Sequence, residues 1–397
     1  MTFPLDIPGP VRRALPPGTG VLLGISGGVD SAVTLALLAS LGCEVQCVTF
    51  KNVCFAEGDD PPGTACCSLD AIEDARAQAR TWGASHWVRN IEEPFTAGVI
   101  QPFLLEYAAG RTPNPCLQCN SDIRFPELVR LARRQGCSFA ATGHYARIER
   151  SGDGPARLLR GLDPQKDQSY FLHRLDPGLL GGLVFPLGWY TKPQVRAAAA
   201  ELGIAVAEKP DSVEICFVPD GDRTAVFADM TAAGEPATEP GDIVDAEGRV
   251  LGRHRGLIHY TVGQRKGLGI AAPNPLYVVA LDLAGRRLIV GEKADLAVTS
   301  LEGDRFHALV EDLPSRWEAG QPLPASWKEP AEVVLRIRHR HAGAAVRSWT
   351  LDGDRLAVEL ARPAEGAAPG QGMVLYAGDL VLGGARILEA RPGTGET

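Results

Sequence analysis

The sequence predicts an α/β protein: a doubly wound parallel sheet followed by two small β-rich domains, the last a β-barrel. Three observations carry that prediction. A glycine-rich loop, Gly24 to Ser31, sits between an apolar run at 21–23 and an apolar helical pattern at 32–41. From 21 to about 145 strand and helix patterns alternate, as in a parallel sheet with ligands at the carboxyl ends of its strands. Beyond a Pro/Gly cluster at 234–241 the texture turns to short strands punctuated by turn residues. The predicted domains are 1–220, 221–298 and 299–397.

Each element rests on its own pattern. Residues 45–50 read as a short buried strand. Residues 69–82 read as a helix, with Ile72, Ala75 and Ala79 at helical spacing and Gly83 just past its end. Residues 86–91 read as a strand. A helix at 125–135 turns Leu128, Val129 and Leu131 inward and closes at Gly136; 138–142 is a further strand, ending at Gly143-His144. Residues 186–207 read as a helix with a sharp stop, and 208–219 as a less regular stretch. After the 234–241 boundary, strands are predicted at 241–244, 249–251, 277–282 and 287–290, then at 333–337, 345–351, 356–360 and 373–376. The Ala/Gly/Pro-rich pieces at 362–370 and 390–397 read as a loop and a frayed tail.

The glycine loop points to nucleotide chemistry. Gly27 and Gly28 allow a tight turn and a close approach of ligand to backbone. Loop amides and the start of the helix make a concave anion site that the helix dipole favours. Ser26 and Ser31 add hydroxyl donors. Asp30 is the odd member, because a carboxylate repels a phosphate unless a cation or amide intervenes; a bridging Mg2+ resolves that conflict. The loop lacks the Gly-Lys-Ser/Thr ending of a Walker A motif and the Gly-x-Gly-x-x-Gly dinucleotide fingerprint. Gly143-His144 ends a second strand, so the two strand ends are expected to face one nucleotide.

Composition sets the outer limits. With 397 residues and 45% hydrophobic content the chain is globular rather than disordered. No apolar run approaches a membrane span, and residues 1–17 lack the apolar core of a secretory signal. A cytoplasmic protein without membrane partners is therefore expected. The formal net charge of −8 argues against global attraction to nucleic acid and leaves room for a local basic patch. Nine cysteines are too sparse for a disulfide scaffold, so reduced, catalytic or metal-binding thiols are expected.

Two of those cysteines stand out. Cys116 and Cys119 form a C-x-x-C pair inside the run TPNPCLQCN, a spacing that suits a redox pair, half of a zinc site or part of an iron–sulfur site. No second C-x-x-C exists, which argues against structural zinc. Cys216, between Ile215 and Phe217, reads by default as a buried structural thiol. Cys43 and Cys47 read as core, and Cys66-Cys67 as a loop before a helix.

Taken together, GISGGVDS, TPNPCLQCN, TGHYAR, the 163–172 run DPQKDQSYFL, EICF at 214–217 and YTVGQRKGLG at 260–269 resemble the tRNA-specific 2-thiouridylases. The loop itself is similar to that of the N-type ATP pyrophosphatases. The blocks occur in family order over nearly the full chain. The resemblance implies a Rossmann-like fold of the adenine nucleotide alpha hydrolase kind. It also implies a reaction: ATP adenylates the C2 oxygen of the wobble uridine in tRNAs of the Lys, Glu and Gln types, a cysteine persulfide delivers sulfur, and AMP and pyrophosphate leave. Carried over, Cys119 is the nucleophile and Cys216 the persulfide carrier. Gly24, Ile25, Ser26, Gly27, Gly28, Val29, Asp30, Ser31, Phe50 and Gly143 bind ATP with Mg2+. Asn114, Pro115 and Cys116 lie against the target base. His144, Lys166, Asp167, Gln168, Arg338, His339 and Gln371 contact tRNA. The trio Cys116, Cys119 and Cys216 also resembles a subset suggested to hold a four-iron four-sulfur cluster, an alternative route for the sulfur. A sulfur donor, either a persulfide carrier or a cysteine desulfurase relay, is implied as partner, and a monomer is expected.

The charge pattern is compatible with RNA. Arg336, Arg338 and Arg340 alternate and are expected to share one strand face, near Arg347, His339 and His341; Arg253, Arg255, Arg265 and Lys266 form a second cluster. Such residues bind phosphates without reading sequence. The target base must leave its stack, and Asn114 with its flanking prolines is an expected pocket wall. Amide-forming ligases share the loop but need no C-x-x-C with a distant Cys. A non-catalytic RNA-binding protein has no use for the three thiols.

Overall fold

A computed structural model describes residues 3–53, 69–150, 154–209, 215–218, 226–228, 234–327 and 332–392. The chain divides into two compact units: residues 1–99, 116–222 and 379–381 form one, and 100–115, 223–378 and 382–397 the other.

The first unit contains, in chain order, β1 (Gly20–Gly24), α1 (Val29–Ser40), β2 (Glu44–Lys51), α2 (Leu69–Thr81), β3 (Ser85–Asn90), α3 (Phe125–Arg134), β4 (Phe139–Ala141), the antiparallel pair β5 (Ala146–Glu149) and β6 (Arg157–Arg160), β7 (Leu183–Val184) and α4 (Lys192–Glu201). Its five-stranded sheet has the order β3-β2-β1-β4-β7, every pairing parallel. Val21, Leu22 and Leu23 of β1 are fully buried, as a central parallel strand covered on both faces requires. The chain runs outward from β1 through β2 to β3, then returns to the other side of β1 for β4. The topological switch point therefore lies between the carboxyl ends of β1 and β4, where such sheets bind ligands. The glycine loop leaves β1 there, and Gly143 leaves β4. The core under them is aliphatic, built by Val33, Leu35 and Leu37 of α1 with Val195, Ala198 and Ala199 of α4.

In the second unit, β8 (Gly241–Val244), β9 (Val250–His254), β10 (Tyr277–Asp282) and β11 (Arg287–Gly291) form a sheet of order β10-β11-β8-β9. Tyr260 and Leu268, from the 260–269 run, pack in its core with Ile243, Val278 and Leu288. The C-terminal strands are β12 (Ala297–Ala308), β13 (Arg316–Glu318), β14 (Val333–Arg336), β15 (Ala344–Asp352), β16 (Arg355–Glu365), β17 (Gly372–Ala377) and β18 (Leu380–Arg391). Six of them run β12-β16-β15-β14-β17-β18, and β12 pairs antiparallel with β18, which closes the barrel and removes its edges.

Three expectations need correction. The helix expected over 186–207 is a 3-10 turn at Pro186–Trp189 followed by α4. Thr191 starts α4 with a capping box to Gln194, and Pro193 sits in the first turn, where a proline begins a helix rather than continues one. The piece 362–370 is not all loop, since β16 runs on to Glu365. The strand expected over 333–337 stops at Arg336, so the three alternating arginines do not share a face. Arg336 is buried with its guanidinium 5.5 Å from the Tyr376 ring, whereas Arg338 and Arg340 are exposed on the following turn.

Candidate active site

The glycine loop is shaped by its surroundings. Gly27 has φ +71°, and a Cβ there would lie 2.2 Å from the Ala71 carbonyl oxygen, so only glycine fits between the loop and the start of α2. Gly28 precedes α1 without a side-chain cap. The Ser26 amide donates to Ser31 Oγ (3.3 Å), and Ser31 Oγ donates to the Gly28 carbonyl (3.0 Å), which tightens the turn. Thr49 Oγ1 donates to the Ile25 carbonyl (2.8 Å) and ties the loop to β2. Phe50, expected beside ATP, is buried next to that tie at the end of β2. Gly143 lies so close to the first turn of α1 that a Cβ would be 2.9 Å from the Asp30 carbonyl carbon. The two strand ends thus meet, as the sequence led us to expect.

Asp30 departs from expectation. Its carboxylate does not stand open to a metal ion: Lys192 Nζ donates to both oxygens (2.7 and 2.8 Å), and the Tyr145 hydroxyl donates to Oδ1 (2.8 Å). This arrangement does not fit Asp30 as a bridging magnesium ligand. The pair is held from behind. The Lys192 amide donates to Asp163 Oδ2 (2.9 Å), and the Tyr145 amide donates to Gln168 Oε1 (2.9 Å). Asp163 and Gln168 belong to the 163–172 run, so part of that motif positions the glycine loop. Asp167 is buried and accepts from the amides of Gly161 and Ser169 (both 3.0 Å), which leaves Lys166 and Gln168 as the partly exposed members expected to meet RNA. Lys192 and Tyr145 were missed by sequence reasoning. The one signal was a lysine in the first turn of a helix, the end where the dipole disfavours a cation.

The cysteines lie in the same unit. Cys119 is buried at the start of a π turn, Cys119–Arg124, that follows the short helix Pro115–Gln118 and leads into α3. Such turns often mark functional positions. Cys116 is exposed. Cys216 is half-buried, its neighbour Phe217 packs edge-on to Phe95, and Asn52 Nδ2 at the end of β2 lies 4.0 Å from its sulfur. Cys216 is therefore not a core thiol but stands at the carboxyl edge of the sheet. Among the described residues no three His, Cys, Asp or Glu side chains are gathered to hold a metal ion. Cys116 is exposed, Cys119 buried and Cys216 half-buried, so the three thiols of the alternative cluster differ in their access to solvent. Cys47 is core as expected, whereas Cys43 is only partly buried and packs against the edge of that core; burial pushes their thiols up to about 12 and about 11. Cys54, Cys66 and Cys67 lie outside the described residues.

His144 packs between the rings of Phe125 and Phe185, at 5.3 and 5.8 Å, with Nδ1 2.8 Å from Thr142 Oγ1. Burial first, then the Arg124 guanidinium, pushes its pKa down to about 3. The unfolded chain therefore binds a proton that the folded one refuses between about pH 3 and the ordinary value of 6.5. Stability is complete above that window and falls as the pH drops through it, with a slope of up to about 1.4 kcal/mol per pH unit. Urea midpoints measured from pH 7 to pH 4 are expected to fall steadily, and His144→Phe to flatten part of that fall. His341, held down to about 4 by burial and by Arg338, adds to it.

In the second unit, Asn114 is half-buried and Pro115 buried. Gln371, expected to contact tRNA, donates its amide to the Thr112 carbonyl (2.8 Å), and the Thr112 amide donates to the Pro369 carbonyl (2.7 Å). The barrel loop at 369–371 thereby fixes the backbone at Thr112. Arg338 donates to the Glu365 carbonyl. Arg253, Arg255, Arg265 and Lys266 are exposed, with Arg253 paired to Asp242 across the strands.

Residues 19–220 match the family model of the tRNA methyl transferase HUP domain, 233–292 that of the tRNA methyl transferase PRC-barrel domain and 313–387 that of the Aminomethyltransferase beta-barrel domain. The chain is 45% identical over 370 residues to the tRNA-specific 2-thiouridylase MnmA of Geobacter metallireducens, covering 92% of this chain and 96% of that protein. It is 45% identical over 372 residues to the protein of the same name from Heliobacterium modesticaldum, covering 93% and 92%. With the Xanthobacter autotrophicus protein, also so named, it shares 41% over 379 residues, 94% of each. The chain belongs to the tRNA-specific 2-thiouridylase family.

Proposed function

We propose that this protein 2-thiolates the wobble uridine of tRNAs of the Lys, Glu and Gln types in the cytoplasm, with ATP as co-substrate. The observation that carries the reading is the meeting of two chemistries at one sheet edge: a phosphate-shaped loop at the end of β1, and Cys216 beside Asn52 at the end of β2. In the reaction, the uridine C2 oxygen attacks the α-phosphorus of ATP and pyrophosphate leaves. The terminal sulfur of a Cys216 persulfide attacks C2. The Cys119 thiolate attacks the Cys216 sulfur, the persulfide S–S bond breaks, and AMP departs with the former C2 oxygen. A Cys119–Cys216 disulfide remains, which a thiol reductant returns to two thiols with two electrons. Methyl transfer, the wording of two family-model descriptions, needs neither ATP cleavage nor thiols. The exposed basic residues of the second unit supply phosphate contacts, and the segments 1–220, 221–298 and 299–397 divide the work into catalysis, linkage and RNA binding.

Incubation with unmodified glutamate tRNA, Mg-ATP, a persulfide donor and a thiol reductant, followed by nucleoside mass spectrometry, is expected to give 2-thiouridine that depends on both ATP and tRNA. Release of AMP without thiouridine would leave only the adenylating half of the reading. Neither product would return the amide-forming enzymes to the front.

A further inference from the structure

The glycine loop contains no cation. Its only charged member, Asp30, is negative, yet the polyphosphate it is read to bind carries several negative charges. The cation comes from a distant part of the chain. Lys192 is in the first turn of α4, 162 positions from Asp30, and its ammonium lies 2.7 Å from that carboxylate at the start of α1. Three local preferences are set aside to put it there. Lysine is seldom buried, and this side chain is 7% exposed. A cation at a helix N-terminus opposes the dipole. Its ammonium is held over the Tyr145 ring, 5.7 Å from the centroid, and fixing a flexible lysine in this way costs rotamer freedom. Asp30, at 32% exposed, lies on the open side of the pair. Local rules broken together in one place mark functional positions.

We propose that Lys192 is the phosphate-binding lysine of this loop, delivered from α4 rather than from the loop itself, with Asp30 as the residue that positions it. A Walker loop carries its lysine in sequence, immediately before the helix. Here the acidic residue at that place holds a lysine that arrives through space, and Tyr145, Gln168 and Asp163 fix both partners. The proposal rests on the reading of the loop as an ATP site and adds to it the residue that meets the β- and γ-phosphates.

The test is calorimetric titration of the full-length protein with three probes: inorganic pyrophosphate, ATP and adenosine. In Lys192→Met, which keeps the stem and removes the charge, pyrophosphate and ATP affinities are expected to fall roughly 10- to 100-fold while adenosine binding holds. That split separates a phosphate contact from a general loss of structure. Lys192→Met leaves Asp30 without its ion pair, so the double variant Asp30→Asn/Lys192→Met serves as a second arm with neither charge. It is expected to stay defective for pyrophosphate. Recovery of wild-type pyrophosphate affinity in the double variant would show that Lys192 only neutralises Asp30, and would overturn the proposal. Unchanged pyrophosphate affinity in Lys192→Met would overturn it as well. A wild-type protein that binds neither ATP nor pyrophosphate would instead sink the reading of the loop, and the proposal with it.

Discussion

Cys119→Ser and Cys216→Ser each lower 2-thiouridine formation by at least about a thousand-fold, because a hydroxyl neither carries a persulfide nor attacks one at neutral pH. The expected result is sharper than loss of activity. ATP–pyrophosphate exchange in the presence of tRNA should persist in both variants, since the loop between β1 and α1 holds neither sulfur. Serine differs from cysteine by one atom, and Cys119 packs in a turn already held by the Ser121 hydroxyl on the Leu117 carbonyl (3.0 Å), so the fold should be kept. Cys116→Ser, at an exposed position, should retain exchange and most thiolation. Equal loss in all three variants would favour a shared cluster over the two-cysteine route. Intact protein mass spectrometry after loading with a persulfide donor adds a direct reading: a gain of one sulfur in Cys119→Ser and none in Cys216→Ser.

How far the sequence could be read follows from the distance over which each feature is decided. The β1–loop–α1 unit is a contiguous pattern of apolar run, glycines and helical repeat, and it stands where expected. The switch point was legible too, because alternating strands and helices imply a parallel sheet and only the strand order was missing. Lys192 was not legible. Its meaning depends on a partner 162 residues away, and within Thr191-Lys-Pro-Gln only the cation at the positive end of the helix sets it apart from an ordinary capped start. Asn52 is likewise 164 positions from Cys216. Arg336 was misread for a related reason: alternation predicts which side of a strand a residue takes, but not that the outer side is covered by Tyr376. The 163–172 run was recognised as a block, yet its role divides. Asp167 builds its own turn, Asp163 fixes α4, and Gln168 fixes Tyr145.

Gly27→Ala is expected to cost both the fold and the nucleotide, and two other glycines separate those losses. At φ +71° any residue with a Cβ pays about 1–2 kcal/mol for the left-handed conformation. The Ala71 carbonyl 2.2 Å from the new methyl adds overpacking of about 1–3 kcal/mol. Gly83→Ala carries nearly the same φ, +68°, with nothing within 4 Å of the added carbon, so its loss of stability measures the backbone strain alone. The difference between the two urea midpoints is then the price of the contact between the loop and α2. Gly28→Ala completes the set. Its φ of −93° is ordinary, and the nearest atom to its Cβ is Ser26 Oγ at 3.6 Å, so the protein should melt close to wild type. If the backbone at Gly28 is where phosphate approaches, ATP affinity nevertheless falls in that variant. A Gly28→Ala protein with normal melting and normal ATP binding would mean that the phosphates lie elsewhere on the loop, toward Ser26 and Gly143.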